Sequence, residues 1–349
     1  MMNPAAELWY KEVVEVTRGR IVESIHNGAA AVVNSRGEMM AAYGDPYAVS
    51  FMRSSSKPFQ ALPFIEMGGD QEYGMSSAEI ALICASHSGT DEHFSALQNL
   101  QTRIGISESN LLCGVHTPFH KATADAMILR GEKPTPNRHN CSGKHTGMLA
   151  CAKMLGQSLE TYLDLNSPVQ QNILNTFSKF CDIPVDKIEI GLDGCSAPTF
   201  AIPLFNAALG VARFCDPQGM RPARQEACKK IFIGMTGAPF MVAGPGRFDT
   251  EFMEKTGGTI LTKTGAEGYQ IFGIPPHNDK PGIGIALKIA DGDVNDRSRG
   301  LVGLEILRQM GLITSTHLSE LSPFYVQKLS NWRKLEIGEI RPCFELKIM

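Results

Sequence analysis

Arg53-Ser54-Ser55-Ser56-Lys57-Pro58 is the stretch on which the reading of this chain turns. A serine alcohol is a poor nucleophile at neutral pH, so a serine that does chemistry needs a base held beside it. Lys57 follows Ser54 at the i, i+3 offset, which puts both side chains on one face of a helical turn. To accept a proton the lysine has to be neutral, and burial or a nearby cation achieves this by lowering its pKa from about 10.4. A helix opening at Lys57 works in the same direction, since the positive end of its dipole favours an alkoxide and disfavours an ammonium.

Taken alone, S-x-x-K is a pattern that common residues form by chance. Lys263-Thr264-Gly265 changes its weight, because serine β-lactamases and penicillin-binding proteins combine S-x-x-K with K-T-G on a late strand, and both occur here in that order. The expected fold is α/β of the α+β kind. It is an antiparallel sheet packed with helices, plus an inserted helical lobe.

The rest of the chain fits this plan. Glu12 to Thr17, Ile21 to His26, Ala29 to Asn34 and Met39 to Tyr43 are short runs rich in Val, Ile and Ala, separated by turn residues. They predict two successive antiparallel hairpins, with Asn27-Gly28 as the strongest hairpin signal. A helix with two prolines follows from Pro58 to Glu66, and Ser76-Ser77-Ala78-Glu79 reads as a capping box opening Ile80 to Ala85. Helical patterns continue over Asp91 to Ile104, Ala122 to Leu129, Pro168 to Phe180 and Ala223 to Met235. Thr259 to Thr262, Tyr269 to Ile274 and Gly284 to Ile289 return to strands, and Arg297 to Met310 is an amphipathic helix that would cover the sheet. We expect one domain over 1–349, with a sheet lobe at about 10–57 and 240–349 and a helical lobe at about 58–239.

Composition narrows the function. The 33 basic and 36 acidic residues give a formal charge of -3 with no long run of either sign, which argues against nucleic acid and anionic membrane as partners. Met1 to Tyr10 lacks a secretory pattern, and no apolar stretch reaches spanning length. Nine scattered cysteines suit a reducing compartment, so the expected location is cytoplasmic.

Four further segments carry candidate chemistry. Ser86-His87-Ser88, ahead of Gly89, is either a solvated helix cap or the source of a second active-site hydroxyl, Ser86, partnered by Lys263. Lys263-Thr264-Gly265 reads as a strand edge whose glycine lets substrate backbone approach. Asn140-Cys141-Ser142-Gly143-Lys144-His145 and Asp193-Gly194-Cys195-Ser196 each supply one thiolate, and together with Lys144 or His145 they could hold zinc. The glycine-rich loop around Arg247 and Asp249 is either a shaped loop for an amino acid's charged ends or a turn with a solvated ion pair. Asp291-Gly292-Asp293 lacks the other ligands of a calcium loop and reads as a turn.

Arg53-Ser54-x-x-Lys57, Cys84-Ala85-Ser86-His87-Ser88, Asn140 to His145, Asp193-Gly194-Cys195, Met241-Val242-Ala243-Gly244, Lys263-x-Gly265 and Lys288-Ile289-x-Asp291-Gly292 together resemble the rhizobial-type, class 3 L-asparaginases of the asparaginase II family. The resemblance implies a fold similar to serine β-lactamases, penicillin-binding proteins and serine glutaminases, and hydrolysis of L-asparagine to L-aspartate and ammonia by a homodimer. It implies two serine-lysine tandems, Ser54 with Lys57 and Ser86 with Lys263, beside a zinc ion held by Cys141, Lys144 and Cys195. Asp193 would orient Lys144 or a metal-bound water, and we assign Arg53, His87, Asp193 and Arg247 to substrate binding. Some relatives carry cysteine at the position of Asp249, and Ser55 and Ser56 flank the candidate nucleophile. The alternatives are a glutaminase or other amidase on the same fold, or a noncatalytic amino-acid sensor; the sensor reading expects a lost tandem residue, and all four are present.

Overall fold

The structure is a computed structural model that describes residues 9–349; most of the N-terminal segment read above for a secretory signal lies outside them. The chain divides into two compact units. One comprises the chain up to Ser55, Ile202–Asp216 and Thr262–Met349; the other comprises Ser56–Ala201 and Pro217–Leu261. No helix among the described residues is long and apolar enough to cross a membrane.

In chain order the elements that matter are strands β1 (Lys11–Arg18), β2 (Ile21–Asn34) and β3 (Met39–Tyr43), then helices α1 (Lys57–Glu66), α2 (Ser77–Ile83), α3 (Asp91–Ile104), α4 (Ser142–Met154) and α5 (Pro168–Cys181). The hairpin strands β4 (Glu189–Leu192) and β5 (Pro198–Pro203) lead to α6 (Leu204–Cys215) and α7 (Pro222–Gly237). Strands β6 (Leu261–Gly265), β7 (Tyr269–Ile274) and β8 (Ile283–Ile289), helix α8 (Arg299–Gln309) and strands β9 (Gln327–Ser330), β10 (Glu336–Pro342) and β11 (Lys347–Ile348) complete the set.

The first unit is built on a nine-stranded sheet in the order β9-β10-β1-β2-β8-β7-β6, with β3 also on β2 and β11 on β3. The expected antiparallel sheet of early and late strands is present, and the printed pairings within it are antiparallel. Its centre is Ala29 to Val33 of β2, which is buried to the last side chain.

Asn27-Gly28 is not a turn. Ile21 to Asn34 is one continuous strand, and Gly28 is where it changes company, opposite Lys11 of β1 on one side and Ile289 of β8 on the other. A Cβ at Gly28 would come within 2.9 Å of the Lys288 carbonyl and 3.1 Å of Val13. The glycine is there for close approach between strands, a role that a two-residue window cannot separate from turn chemistry.

The expected lobe boundaries also move. Ile202–Asp216 returns to the sheet unit and Pro217–Leu261 stays with the helices. The cause is α6, whose buried face packs on β2, β7 and β8. Gly284 and Gly273 make room for it: a Cβ on Gly284 would sit 1.9 Å from the Ala208 carbonyl, and one on Gly273 would sit 2.5 Å from Cys215 Sγ. The adjacent Phe272 points to the other face, where its ring meets Gly303 of α8. The sheet is thus covered by a helix on each side, α8 being the one that was expected.

The second unit is helical. Helix α1 packs on α4, α5 and α7, and α2 packs on α4 and α7. Phe59 of α1 meets Phe177 and Phe180 of α5 edge-on, with ring centres 5.7 Å apart in both pairs. Of the two prolines of α1, Pro58 falls in the first turn, where its missing N–H costs nothing, whereas Pro63 lies inside the helix and removes one of its hydrogen bonds.

Candidate active site

Lys57 opens α1 and is 1% exposed. Its Nζ donates to the Ala85 carbonyl, to Ser86 Oγ at 2.9 Å and to Cys141 Sγ at 3.2 Å. The acceptors come from the loop after α2 and from the residue that caps α4. Helix α2 starts on the expected capping box, with Ser76 and Glu79 bonded reciprocally. The loop that follows is fastened rather than solvated. Ser86 N–H donates to the Val242 carbonyl at 2.9 Å and Ser88 Oγ to the Ala243 carbonyl at 2.6 Å. Ser86, His87 and Ser88 are all buried, which removes the reading of this segment as an exposed cap.

His87 holds this loop against α4. Gly89 N–H donates to its Nδ1 at 3.1 Å, which leaves Nε2 to donate to Ser142 Oγ at 2.9 Å. Its ring stacks on His93, and His93 stacks on Phe240. Burial, with His93 and Lys57 adding positive repulsion, holds His87 well below its ordinary pKa, and burial takes His93 down to about 4.

Cys141 stands at the N-cap of α4 and Lys144 in its first turn, so one turn of helix aims both in one direction. Cys195 comes from the other side, on the loop of the β4–β5 hairpin. There Asp193 N–H bonds the Ala197 carbonyl and Ser196 takes a left-handed φ of 67°. Lys144 Nζ donates to Cys195 Sγ at 2.9 Å. The polar chain here has two parts, Ser86–Lys57–Cys141 and Lys144–Cys195. All five are buried.

The electrostatics follow from this order. Cys195, with Lys57 and Lys144 close by, holds Cys141 well below the usual thiol range, while Cys141 and burial push Cys195 up. Burial works to lower Lys144, but the two sulfurs and Asp193 outweigh it and its pKa is raised. His145 lies behind, with Nδ1 2.6 Å from the Tyr162 hydroxyl, and burial pushes it down to about 4. Its Nε2 makes no hydrogen bond, although the Cys195 sulfur is near enough to act on its charge. Among the described residues no three His, Cys, Asp or Glu side chains are placed to share an ion. Two thiolates and an amine are nevertheless donors that zinc accepts, so a metal taking both sulfurs here needs Lys144 as its third protein donor.

The other tandem residues lie in the sheet unit. Arg53 has a left-handed φ of 52°, a conformation that costs a non-glycine residue about 1 kcal/mol or more, directly before Ser54. Of the three serines Ser54 is the least buried, at 9% exposure against 0% for Ser55 and Ser56. Ser55 Oγ donates to the Lys263 carbonyl at 2.9 Å and Ser56 Oγ accepts from Gln60, so both flanking hydroxyls are engaged in structure. Lys263 is fully buried on the edge strand β6, with Nζ donating to the Thr264 carbonyl. A Cβ on Gly265 would lie 2.6 Å from the Met52 carbonyl, so this glycine admits the turn carrying Ser54 rather than substrate backbone.

Asp193 is half-buried, and its carboxylate accepts from Gly194 N–H at 2.7 Å. Arg247 caps the helix Phe248–Lys255, its guanidinium 6.0 Å from the Phe119 ring centre. Sequence reasoning missed Cys113, which the charges of Cys141 and Cys195 reach and which burial pushes up to about 12, and it missed Tyr162.

Among solved structures the chain is similar to a probable glutaminase from Bacillus subtilis, at 15% identity over 82% of this chain and 84% of that one, with a TM-score of 0.37. It is also similar to a Bacillus glutaminase, at 13% identity over 82% and 91%, with a TM-score of 0.39. Likenesses this loose establish neither fold nor activity. No curated protein sequence matches. The sequence profile described as L-asparaginase II does match, over residues 14–342. That span takes in every tandem serine and lysine and both cysteines of the polar chain, and the protein belongs to the L-asparaginase II family.

Proposed function

We propose that this protein hydrolyses the side-chain amide of L-asparagine to L-aspartate and ammonia by double displacement, on a fold of the serine β-lactamase kind. Family membership supports amide hydrolysis. The observation that carries the rest is Lys57, a buried amine whose partners are a carbonyl, a hydroxyl and a sulfur, with no carboxylate among them. A desolvated lysine without a carboxylate is costly to keep for structure alone, and it is the setting a lysine base needs.

In this reading unprotonated Lys57 takes the proton of Ser54, whose oxygen attacks the amide carbon. Ammonia leaves with a proton relayed by Lys263 and Ser86, and water hydrolyses the acyl-enzyme. Arg53, Asp193 and Arg247 bind substrate. His87, with both ring nitrogens engaged inside the protein, contributes by holding the loop of Ser86. Cys141, Lys144 and Cys195 would hold zinc, which when bound supplies a fixed positive charge that organises the site. The reading also takes the protein as a cytoplasmic homodimer.

Lys57→Met tests it. Ammonia release from asparagine should fall at least about a thousandfold while calorimetric binding of asparagine persists. Wild type should prefer asparagine to glutamine by about tenfold to two-hundredfold in kcat/KM, the range one methylene commands. A Lys57→Met variant within tenfold of wild type would remove the base from the account.

A further inference from the structure

Tyr162 and His145 form a buried pair to which the reaction written above gives no task. Tyr162 is 1% exposed and His145 is fully buried. The rings meet edge-on, with centres 5.6 Å apart, and His145 Nδ1 lies 2.6 Å from the Tyr162 hydroxyl. The same hydroxyl accepts from Leu112 N–H at 2.9 Å, and His145 Nε2 makes no hydrogen bond.

These contacts decide which ring nitrogen carries the proton. With the proton on Nδ1, the tyrosine oxygen would accept from both Nδ1–H and Leu112 N–H. Its own hydrogen would then have no acceptor among the described residues, and the bare Nε2 would have no donor. With the proton on Nε2, the Tyr162 hydroxyl donates to Nδ1 and only the Nε2–H is left without a partner. Each buried polar group left unpaired is costly, so the arrangement with one orphan prevails over the arrangement with two. A histidine that binds a metal is wired the other way: it donates one N–H to a carboxylate or carbonyl, which leaves the second nitrogen bare.

We propose that Tyr162 is a positioning residue of the centre formed by Cys141, Lys144 and Cys195: by donating to Nδ1 it fixes His145 as the Nε2–H tautomer, in which neither ring nitrogen has a lone pair to give. Lys144 and His145 follow the N-cap Cys141 at the i+3 and i+4 positions of α4, so one helix turn carries two nitrogens for the same sulfurs. Tyr162 takes the imidazole out of that competition and leaves the amine. The choice of donor rests on the zinc reading given above; the position of the proton does not.

Nitrogen NMR of metal-free, full-length protein carrying isotope-labelled histidine locates the proton, with the His145 signals assigned by their loss in His145→Gln. Near neutral pH the expected pattern is a protonated Nε2 and a bare Nδ1. A proton on Nδ1 in the wild type would overturn the proposal, whatever the fate of any Tyr162 variant. In folded Tyr162→Phe part of the population should move to Nδ1–H, and an unchanged pattern would show that Tyr162 does not hold the tautomer. For the donor, zinc affinity is measured by dye competition in Lys144→Ala with and without Tyr162→Phe. Freeing the imidazole should raise it at least about tenfold, the opposite of what a merely structural loss would do. Equal or lower affinity in the folded double variant would refute the role of Tyr162. Wild-type protein that takes up no zinc would refute the zinc reading instead, and the NMR pattern would still decide the tautomer.

Discussion

At the scale of single residues the sharpest question is which nitrogen meets the metal. Cys141 is held well below the usual thiol range, and His145, already neutral above its pKa of about 4, has no proton to lose between pH 6 and 9. Lys144 and Cys195 are both raised and each has one. If Lys144 is a ligand, zinc binding releases two protons and affinity climbs about a hundredfold per pH unit across that range. Lys144→Ala should lower the slope to about tenfold per unit, and His145→Ala should leave it unchanged. Competition titrations with a zinc-binding dye give these slopes. A plateau near pH 7, with only His145→Ala weakening affinity, would make His145 the ligand. The residues of this centre were legible in the sequence because Cys141, Lys144 and Cys195 lie in two unusual short segments. Their order in space was not, because the Lys57 bonds to Ser86 and Cys141 join segments 29 and 84 residues away. Cys113 and Tyr162 escaped because a lone cysteine and a lone tyrosine carry no spacing signal.

At the scale of elements, glycine explains both what was readable and what was misread. Gly143 lets α4 pack on the end of α2. A Cβ there would lie 2.0 Å from the Leu82 carbonyl. Gly143→Ala should therefore push the first turn of α4 outward, cost about 3 kcal/mol in urea denaturation and lower zinc content. Gly194→Ala, with nothing within 4 Å of the new Cβ, should change stability by less than about 1 kcal/mol. Equal effects of the two would show that the contact does not hold the turn. Helices α1, α2, α3, α5 and α7 were legible from caps and periodicity, which are local. The single strand through Asn27-Gly28 and the return of α6 to the sheet were not, because each depends on what lies opposite a glycine.

At the scale of the whole molecule, buried histidines couple stability to pH and serine chemistry couples structure to turnover. His87 and His93 are neutral when folded, with pKa values below the free value of about 6.5. The unfolded chain binds more protons, so their contribution is intact above pH 6.5 and is lost as pH falls from there toward 4. Each histidine contributes up to about 1.4 kcal/mol per pH unit. Carboxylates such as Glu66, whose pKa is lowered because Arg224 and Arg221 outweigh its burial, act at the acid end of that window and below it. Urea denaturation between pH 7.5 and 4.5 should show a smaller slope in His93→Gln than in wild type, and an unchanged slope would mean that the ring is protonated in the fold. The central claim is tested most directly by ammonia release from L-asparagine, measured for wild type and for Ser54→Ala. The account predicts sustained turnover by wild type and a loss of at least about a thousandfold in the variant, with its fold intact; a Ser54→Ala protein within tenfold of wild type would contradict it.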